Sequence, residues 1–376
     1  MKKSFTLLLF MLLVTGAMAQ ALTQPPSGGN QKSKLTQWMG PVEIIIAYSS
    51  PDVHGPNGED RKDHIWGELV PFGFINQGFG TSKAAPWRAG ANENTTISFS
   101  HDVKVEGKDL KAGKYALFLA LDKSGPWTWI FSKNNSSWGS FFYDEKEDAL
   151  RVNATPQEAA YSEYLTYGFD ERKLNSSVAF LQWENKKIPF KIEVPSVNDL
   201  YVSKMREELR SSVGFDYQNW AAAAQFCAQN KINLEEAMTW ADGAISTPFI
   251  GIENFQTLQT KAQVLEALNR ESEASLVMDK SIKLPSTTVQ QIHQYGRTLL
   301  TSGKKEKAME VFQFNSKIHP EDKFTPNVGL ARGYTALGDK KNAIKFWEVA
   351  LKNVPENQKN NMAFYEGELK KLKEGA

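Results

Sequence analysis

The chain has a single cysteine, Cys227, in 376 residues. No intrachain disulfide can form, so the fold must rest on ordinary burial. Cys227 ends the helical apolar run that starts at Trp220, which reads as a buried small residue rather than a reactive thiol. Charge of one sign is lacking too, since 44 basic residues meet 43 acidic ones. A nucleic-acid binder needs a basic footprint, so no nucleic-acid partner is expected. Beyond the first 20 residues no stretch is apolar enough to span a bilayer. There is no Gly-x-Ser-x-Gly elbow or other nucleophile frame around Ser49, Ser50, Asp52 and His54. No Gly-rich phosphate loop precedes a helix. His54, His64 and His101 lack the tight spacing of a zinc motif. Neither a metal nor a cofactor is expected, and no catalytic residue is assigned.

What is present begins at the N-terminus. Lys2 and Lys3 precede an almost wholly apolar run from Phe5 to Val14, followed by Ala17 and Ala19 in an A-x-A arrangement before Gln20. That order predicts a secretory signal peptide over 1–19, cleaved near Ala19, and a periplasmic or secreted mature protein. The run is too short for a permanent anchor, and no cysteine follows it to carry a lipid. Removing 1–19 takes two lysines and no acid, which leaves a net charge of −1. Residues 20–34 are rich in Pro, Ser, Gly, Gln and Lys and read as a disordered lead-in.

Residues 35–198 read as a β domain. Ile97 and Phe99 alternate with polar neighbours, as do Ile188, Phe190, Ile192 and Val194. Trp127, Trp129 and Phe131 fall on one face of a third strand. Val42–Tyr48, Tyr115–Leu121, Ala149–Ala154, Tyr164–Phe169 and Val178–Trp183 are further strands. Short strands without interleaved helices predict an antiparallel β-sandwich, with a barrel as the alternative.

Near Pro195 the turns thin out and helix formers take over, so 199–376 reads as a separate helical domain. Gly296, Gly303, Ala308, Phe312 and Pro320 recur in class, 35 residues on, as Ala331, Gly338, Ala343, Trp347 and Pro355. At an offset of 34, Ala262, Ala274 and Met278 fall on Gly296, Ala308 and Phe312. Such a period predicts an α-helical solenoid of hairpins, with small residues between paired helices and aromatics between hairpins. Over about 255–355 the chain resembles the tetratricopeptide repeat family. The resemblance implies protein or peptide binding along the first helix of each hairpin. It places Gln256, Gln259, Gln263, Gln290, His293, Arg297 and Arg332 there, although any one of them also fits an ordinary solvated face.

The β domain carries five motifs in order: Tyr48–Gly55, Ile65–Gly73, Pro86–Ile97, Leu110–Phe118 and Trp127–Phe131. Together they resemble domain-of-unknown-function family 2911. That resemblance implies a domain identity and an exported bacterial setting, but no reaction. The run Phe74–Ala85 is longer than the family's connection and either covers a neighbouring surface or stands out as a loop. Within the third motif Trp87 offers a flat apolar face and Arg88 a fork of donors. Gly90 permits an unusual backbone angle, and Asn92 and Glu93 offer amide and carboxylate groups. These residues fit a small ligand such as an envelope glycan or a peptide end. In the competing reading Arg88 and Glu93 pair with each other and Asn92 caps a turn. The expected function is an exported binding or scaffolding protein. The alternative is a cell-envelope enzyme acting on glycan or peptide substrates through Glu93 and its neighbours, because paired carboxylates leave no fixed sequence spacing.

Overall fold

The computed structural model describes residues 30–55 and 57–375, which form two compact units dividing after Val197. The expected signal segment 1–19 and residues 20–29 of the expected lead-in lie outside the described residues.

The N-terminal unit contains ten strands: β1 (Gln31–Met39), β2 (Val42–Ser50), β3 (Thr96–Phe99), β4 (Val103–Val105), β5 (Lys108–Leu110), β6 (Gly113–Ala120), β7 (Trp127–Ser132), β8 (Asp148–Ala154), β9 (Gln157–Asp170) and β10 (Ser176–Glu193). They form two antiparallel sheets, one of order β1-β2-β3-β6-β7-β8 and one of order β5-β4-β10-β9. Trp129 and Phe131 of β7 meet Phe190 of β10 edge-on, with centroids 5.2 and 5.7 Å apart. The sheets thus share a core, and the architecture is a sandwich rather than a barrel.

Three differences from the expected strands have physical causes. Gln31–Lys34, read as lead-in, are the first part of β1 and pair with Lys32↔Ser49 and Lys34↔Ala47. The backbone ladder, not apolar alternation, orders this polar edge strand. The segments Val178–Trp183 and Ile188–Val194 are one strand, β10, with register shifts on either side of Glu184. Pro189 lies between the last pair with β9, at Lys187, and the first with β4, at Ile192, where the missing N–H costs no ladder bond. Strands β4 and β5 are three residues each, too short for a periodic signal.

A long connection, 51–95, joins β2 to β3. It is tied down by isolated bridges, Phe72↔Leu121, Ile75↔Ala85 and Trp87↔Leu119 among them. Its run 74–85 closes on itself through that Ile75–Ala85 bridge and leans on the segment before β8, with Phe79 against Phe141 and Phe142 at 5.3 and 6.1 Å. The run 74–85 therefore covers a neighbouring surface rather than standing out as a loop. Connections this long in a packed domain are commonly functional.

The C-terminal unit contains helices α1 (Val197–Glu208), α2 (Tyr217–Asn230), α3 (Leu234–Ser246), α4 (Phe255–Ala267), α5 (Glu271–Ser281), α6 (Val289–Thr301), α7 (Lys305–Ile318), α8 (Thr325–Ala336), α9 (Lys340–Lys352) and α10 (Met362–Glu374). Capping boxes at Asn254/Thr257 and Thr288/Gln291 start α4 and α6. Gly303 and Gly338, one period apart, follow α6 and α8 with φ of 76° and 79°, the left-handed turn that glycine accepts at a helix end. The pairs α2/α3, α4/α5, α6/α7 and α8/α9 are hairpins of tetratricopeptide type. Ala308, Ala331 and Ala343 are fully buried where small residues are needed, and Phe312 and Trp347 fill the space beside them. Helix α10 closes the array, with Tyr365, Leu369 and Leu372 packed on the cluster around Trp347. Cys227 is buried, and burial pushes its thiol up to about 11, which removes thiolate reactivity. No helix among the described residues is long and apolar enough to cross a membrane.

Candidate functional site

In the β unit the long connection carries Trp87 onto β6. The Trp87 N–H donates to the Leu119 carbonyl at 3.1 Å, and the Leu119 N–H donates back at 2.8 Å. Fixed in this way, the Trp87 indole stacks on Trp183 of β10, with centroids 6.1 Å apart and planes 17° apart. Trp66 meets both rings edge-on at 5.9 and 6.0 Å and also touches Trp127 at 5.1 Å. Four of the seven tryptophans before Pro195 thus form one cluster. Beside it opens a cavity of about 290 Å³ whose lining includes Trp87, Trp183, Arg61, Arg88 and Gln77.

Arg88 is half-buried. Its Nη1 donates to the Asn92 carbonyl at 2.8 Å, and its guanidinium lies 5.8 Å from the Phe141 ring centroid. Burial pushes it below the ordinary guanidinium value, and among the described residues it has no carboxylate partner. The expected Arg88–Glu93 pair is absent. Glu93 turns toward β1 and β2, where Lys32 pairs with it and the Ser49 hydroxyl donates to it at 3.3 Å. Burial pushes the Glu93 carboxyl up, but the Lys32 hydrogen bond, a backbone N–H, the Lys32 charge and Ser49 outweigh it, so the acid is held below its usual range. Glu93 lines a separate cavity of about 260 Å³. Asn92 accepts from the Asn30 side chain at 3.3 Å and does not line the Trp87 cavity.

The turn itself explains the split. Ala89 and Asn92 have φ of 49° and 59°, and this tight reversal sends Arg88 and Glu93 to different sides. Gly90, from which an unusual backbone angle was expected, has none. Glycine is needed there for space, since a Cβ would sit 2.5 Å from Thr95 Oγ1.

The nucleophile candidates are engaged elsewhere. Ser50 donates to the Leu165 carbonyl at 2.7 Å, and His54 Nδ1 faces Glu163 at 2.9 Å, so these two do not pair with each other. Glu163 accepts from the Tyr161 hydroxyl and from the backbone N–H and ring of His54. These bonds, Tyr161 first, hold its carboxyl down at about 2 against the opposing effect of burial. The contact fastens the start of the long connection to β9. His64 faces Glu68 at 3.0 Å and His101 faces Ser100 at 2.8 Å, so each of the three histidines has a different partner.

In the helical unit Gln290, His293, Arg297 and Arg332 line one cavity of about 660 Å³. Helices α6 and α8 supply these four, Phe324 and Gln358 come from the segments that follow α7 and α9, and Tyr365 from α10. Gln259 and Gln263 do not line it. They lie half-buried on α4, where Gln263 accepts from Gln225 of α2 at 3.3 Å. His293 packs on Phe312 at 5.6 Å, and its buried Nδ1 has no partner among the described residues. Burial first, then the charges of Arg332 and Arg297, push it down to about 4, so it is neutral at ordinary pH. The Arg332 guanidinium lies between Trp347 and Phe364, at 5.9 and 5.7 Å from their centroids. Burial and the neighbouring Arg297 charge lower it. Neither arginine is paired with a carboxylate among the described residues; Arg297 has only a long contact to Gln294 at 3.5 Å.

Sequence reasoning missed Gln77 and Trp183 in the first cavity, Trp66 packed against its tryptophans, and Gln358 and Tyr365 in the second. The tryptophan enrichment of the β half was the one available signal.

Residues 30–192 match the model of the protein family of unknown function DUF2911. The matched residues span the sandwich with its long connection, and the helical array follows them. No curated protein matches the chain. Among solved structures the chain is similar to YrrB, described as a TPR protein with an unusual peptide-binding site, at 17% identity and TM-score 0.29, over 46% of this chain and 86% of that one. It is also similar to a MamA structure at 13% and 0.31, over 44% and 92%, and to MamA from Desulfovibrio magneticus RS-1 at 18% and 0.27, over 42% and 93%. The hairpin architecture of this chain stands on its own helix pairing and small-residue positions.

Proposed function

We propose that the chain is an exported interaction scaffold whose helical array holds a protein segment by a carboxylate. The observation that carries this reading is the pair Arg297 and Arg332 in one large cavity, with no carboxylate paired to either among the described residues. The carboxylates of the same lining are engaged elsewhere, Asp322 with the backbone N–H groups of Phe324 and Thr325 and Glu321 with His319, so two guanidinium groups that repel each other favour an anion arriving from outside. Neutral His293 adds no third charge, and Phe324 and Tyr365 offer apolar surface beside the arginines. A peptide ending in a free carboxylate after an apolar residue fits this combination. An enzyme reading through Glu93 draws no support from the site, because Glu93 is ion-paired and held ionised and lies in a different cavity from Trp87.

The test is fluorescence polarisation of labelled peptides with the chain lacking residues 1–19. Peptides with a free C-terminal carboxylate should bind at least about tenfold more tightly than their amides, a difference of 1.4 kcal/mol. Arg297→Gln, an exposed position, should remove that preference. Equal binding of acid and amide, or no binding of the acid, overturns the reading.

A further inference from the structure

We propose that the cavity beside Trp87 and Trp183 in the DUF2911 unit is a binding site for a small carboxylate joined to a planar apolar group. The cavity is bounded by the long connection and by β10. Most of its wall is apolar, with Pro51, Val70, Ile75 and Pro86 beside the two indoles. Ligand sites have this character, an apolar lining with a few placed polar groups.

The polar groups are of a particular kind. Arg61 Nη2 is bound to Glu59 at 2.7 Å, so its charge is balanced. The charge of Arg88 is not, because among the described residues its one polar contact is a backbone carbonyl. The cavity therefore carries one uncompensated positive charge, which suits a monoanion. Gln77 donates through Nε2 to Ser140 at 3.2 Å, while its buried Oε1 accepts nothing from the described residues. Behind the lining, the indole Nε1 of Trp66 is buried without a partner among the described residues, and its ring packs on the two tryptophans that line the cavity. Buried polar atoms in folded proteins are rarely left unpaired, and each that is calls for a partner such as a water, an ion or a ligand. A guanidinium fork matches a carboxylate, and a fork so placed needs no bulk water to hold its charge.

Size and shape narrow the class. At about 290 Å³ the space sits at the lower edge of small-molecule pockets, roughly 300–1,000 Å³, so one ring with a short acid arm fits and a peptide stretch does not. A sugar is disfavoured because the indole rings already pack on one another. Trp87 and Trp183 stack on each other, and Trp66 meets both edge-on. Planar apolar rings, by contrast, pack against such edges.

The tryptophan cluster is its own reporter. The chain lacking residues 1–19 is titrated with phenylacetate, indole-3-acetate, phenylacetamide and methyl glucoside while tryptophan emission is followed (phenylacetate and phenylacetamide do not absorb at the excitation used). The acids should give a saturable change, with phenylacetate at least tenfold tighter than phenylacetamide and no response to the glucoside. Arg88→Met with an unchanged far-ultraviolet circular dichroism spectrum should weaken phenylacetate at least tenfold and leave phenylacetamide unchanged. If Arg88→Met does not fold, Gln77→Leu decides, and it should weaken phenylacetate several-fold. Absence of a saturable change, equal binding of acid and amide, a preference for the glucoside, or unchanged affinity in the folded variant overturns the proposal. Groove peptides binding as before in the same variants would show that the failure concerns this cavity alone.

Discussion

Phe312 occupies the place where any side chain on Gly296 would have to go, for a Cβ built there lies 2.3 Å from Phe312 Cε1. The same ring approaches Gly329 of the next hairpin, where a Cβ would lie 2.6 Å from Cδ1. One aromatic side chain is thus held between two helices that can come close only because they carry glycine.

Gly296→Ala should therefore destabilise the array by about 1–3 kcal/mol, the usual cost of overpacking. Ala308→Leu, at a fully buried position, should act in the same direction. Gly367→Ala is the counter-case. It lies inside α10 with nothing within 4 Å of a new Cβ, so it should stabilise by about 0.4–1 kcal/mol through helix propensity and the unfolded chain. Exposed Lys304→Leu should leave the melting temperature unchanged. Thermal unfolding followed by helical circular dichroism ranks the four variants. Equal melting of Gly296→Ala and the parent would mean that the hairpin packing is not as described.

His293 makes the stability of the helical unit depend on pH. Its folded-state value is about 4 against 6.5 for the free side chain, with burial the main cause, Arg332 and Arg297 adding to it and Asp322 opposing. A depressed base binds its proton more readily in the unfolded chain, so stability is lost as the pH falls from about 6.5 to about 4. The shift corresponds to at most about 3 kcal/mol. His293→Gln should flatten the curve of unfolding free energy over that interval. Parallel curves for variant and parent would show that His293 is accessible to protons in the fold.

Export is checked at the N-terminus. From Lys2, Lys3, the Phe5–Val14 run and Ala17-x-Ala19, cleavage is expected after Ala19. Mass spectrometry of the protein recovered from the periplasm or medium should find Gln20 first. An intact chain from Met1 in the soluble cytoplasm would overturn the expectation.

Much of the fold was legible because it is written in local periods. Strand β2 buries Val42, Ile44, Ile46 and Tyr48 in alternation, and the 35-residue recurrence of Ala308 and Ala343 marks identical hairpins. A repeat stacks the same contact again and again, so one packing rule recurs in the sequence. The groove was legible for the same reason. Gln290, His293, Arg297 and Arg332 lie on first helices of successive hairpins, and the period alone put Arg297 and Arg332 in equivalent positions. Gln259 and Gln263 share that pattern but fall outside the cavity, whose other wall is built by chain following α7 and α9.

The β cavity was not legible in this way. Composition showed that the β half is rich in tryptophan, and the order of motifs showed which family it resembles. Nothing in either shows that Trp66 and Trp183, 117 residues apart, touch the same ring of Trp87, or that Arg88 and Glu93 part company at a turn made by Ala89 and Asn92. Local periods report which face of an element is buried. Contacts between distant elements depend on strand order, register shifts such as those flanking Glu184, and the path of a long connection without a period, and each of these is decided when the whole domain closes around its core.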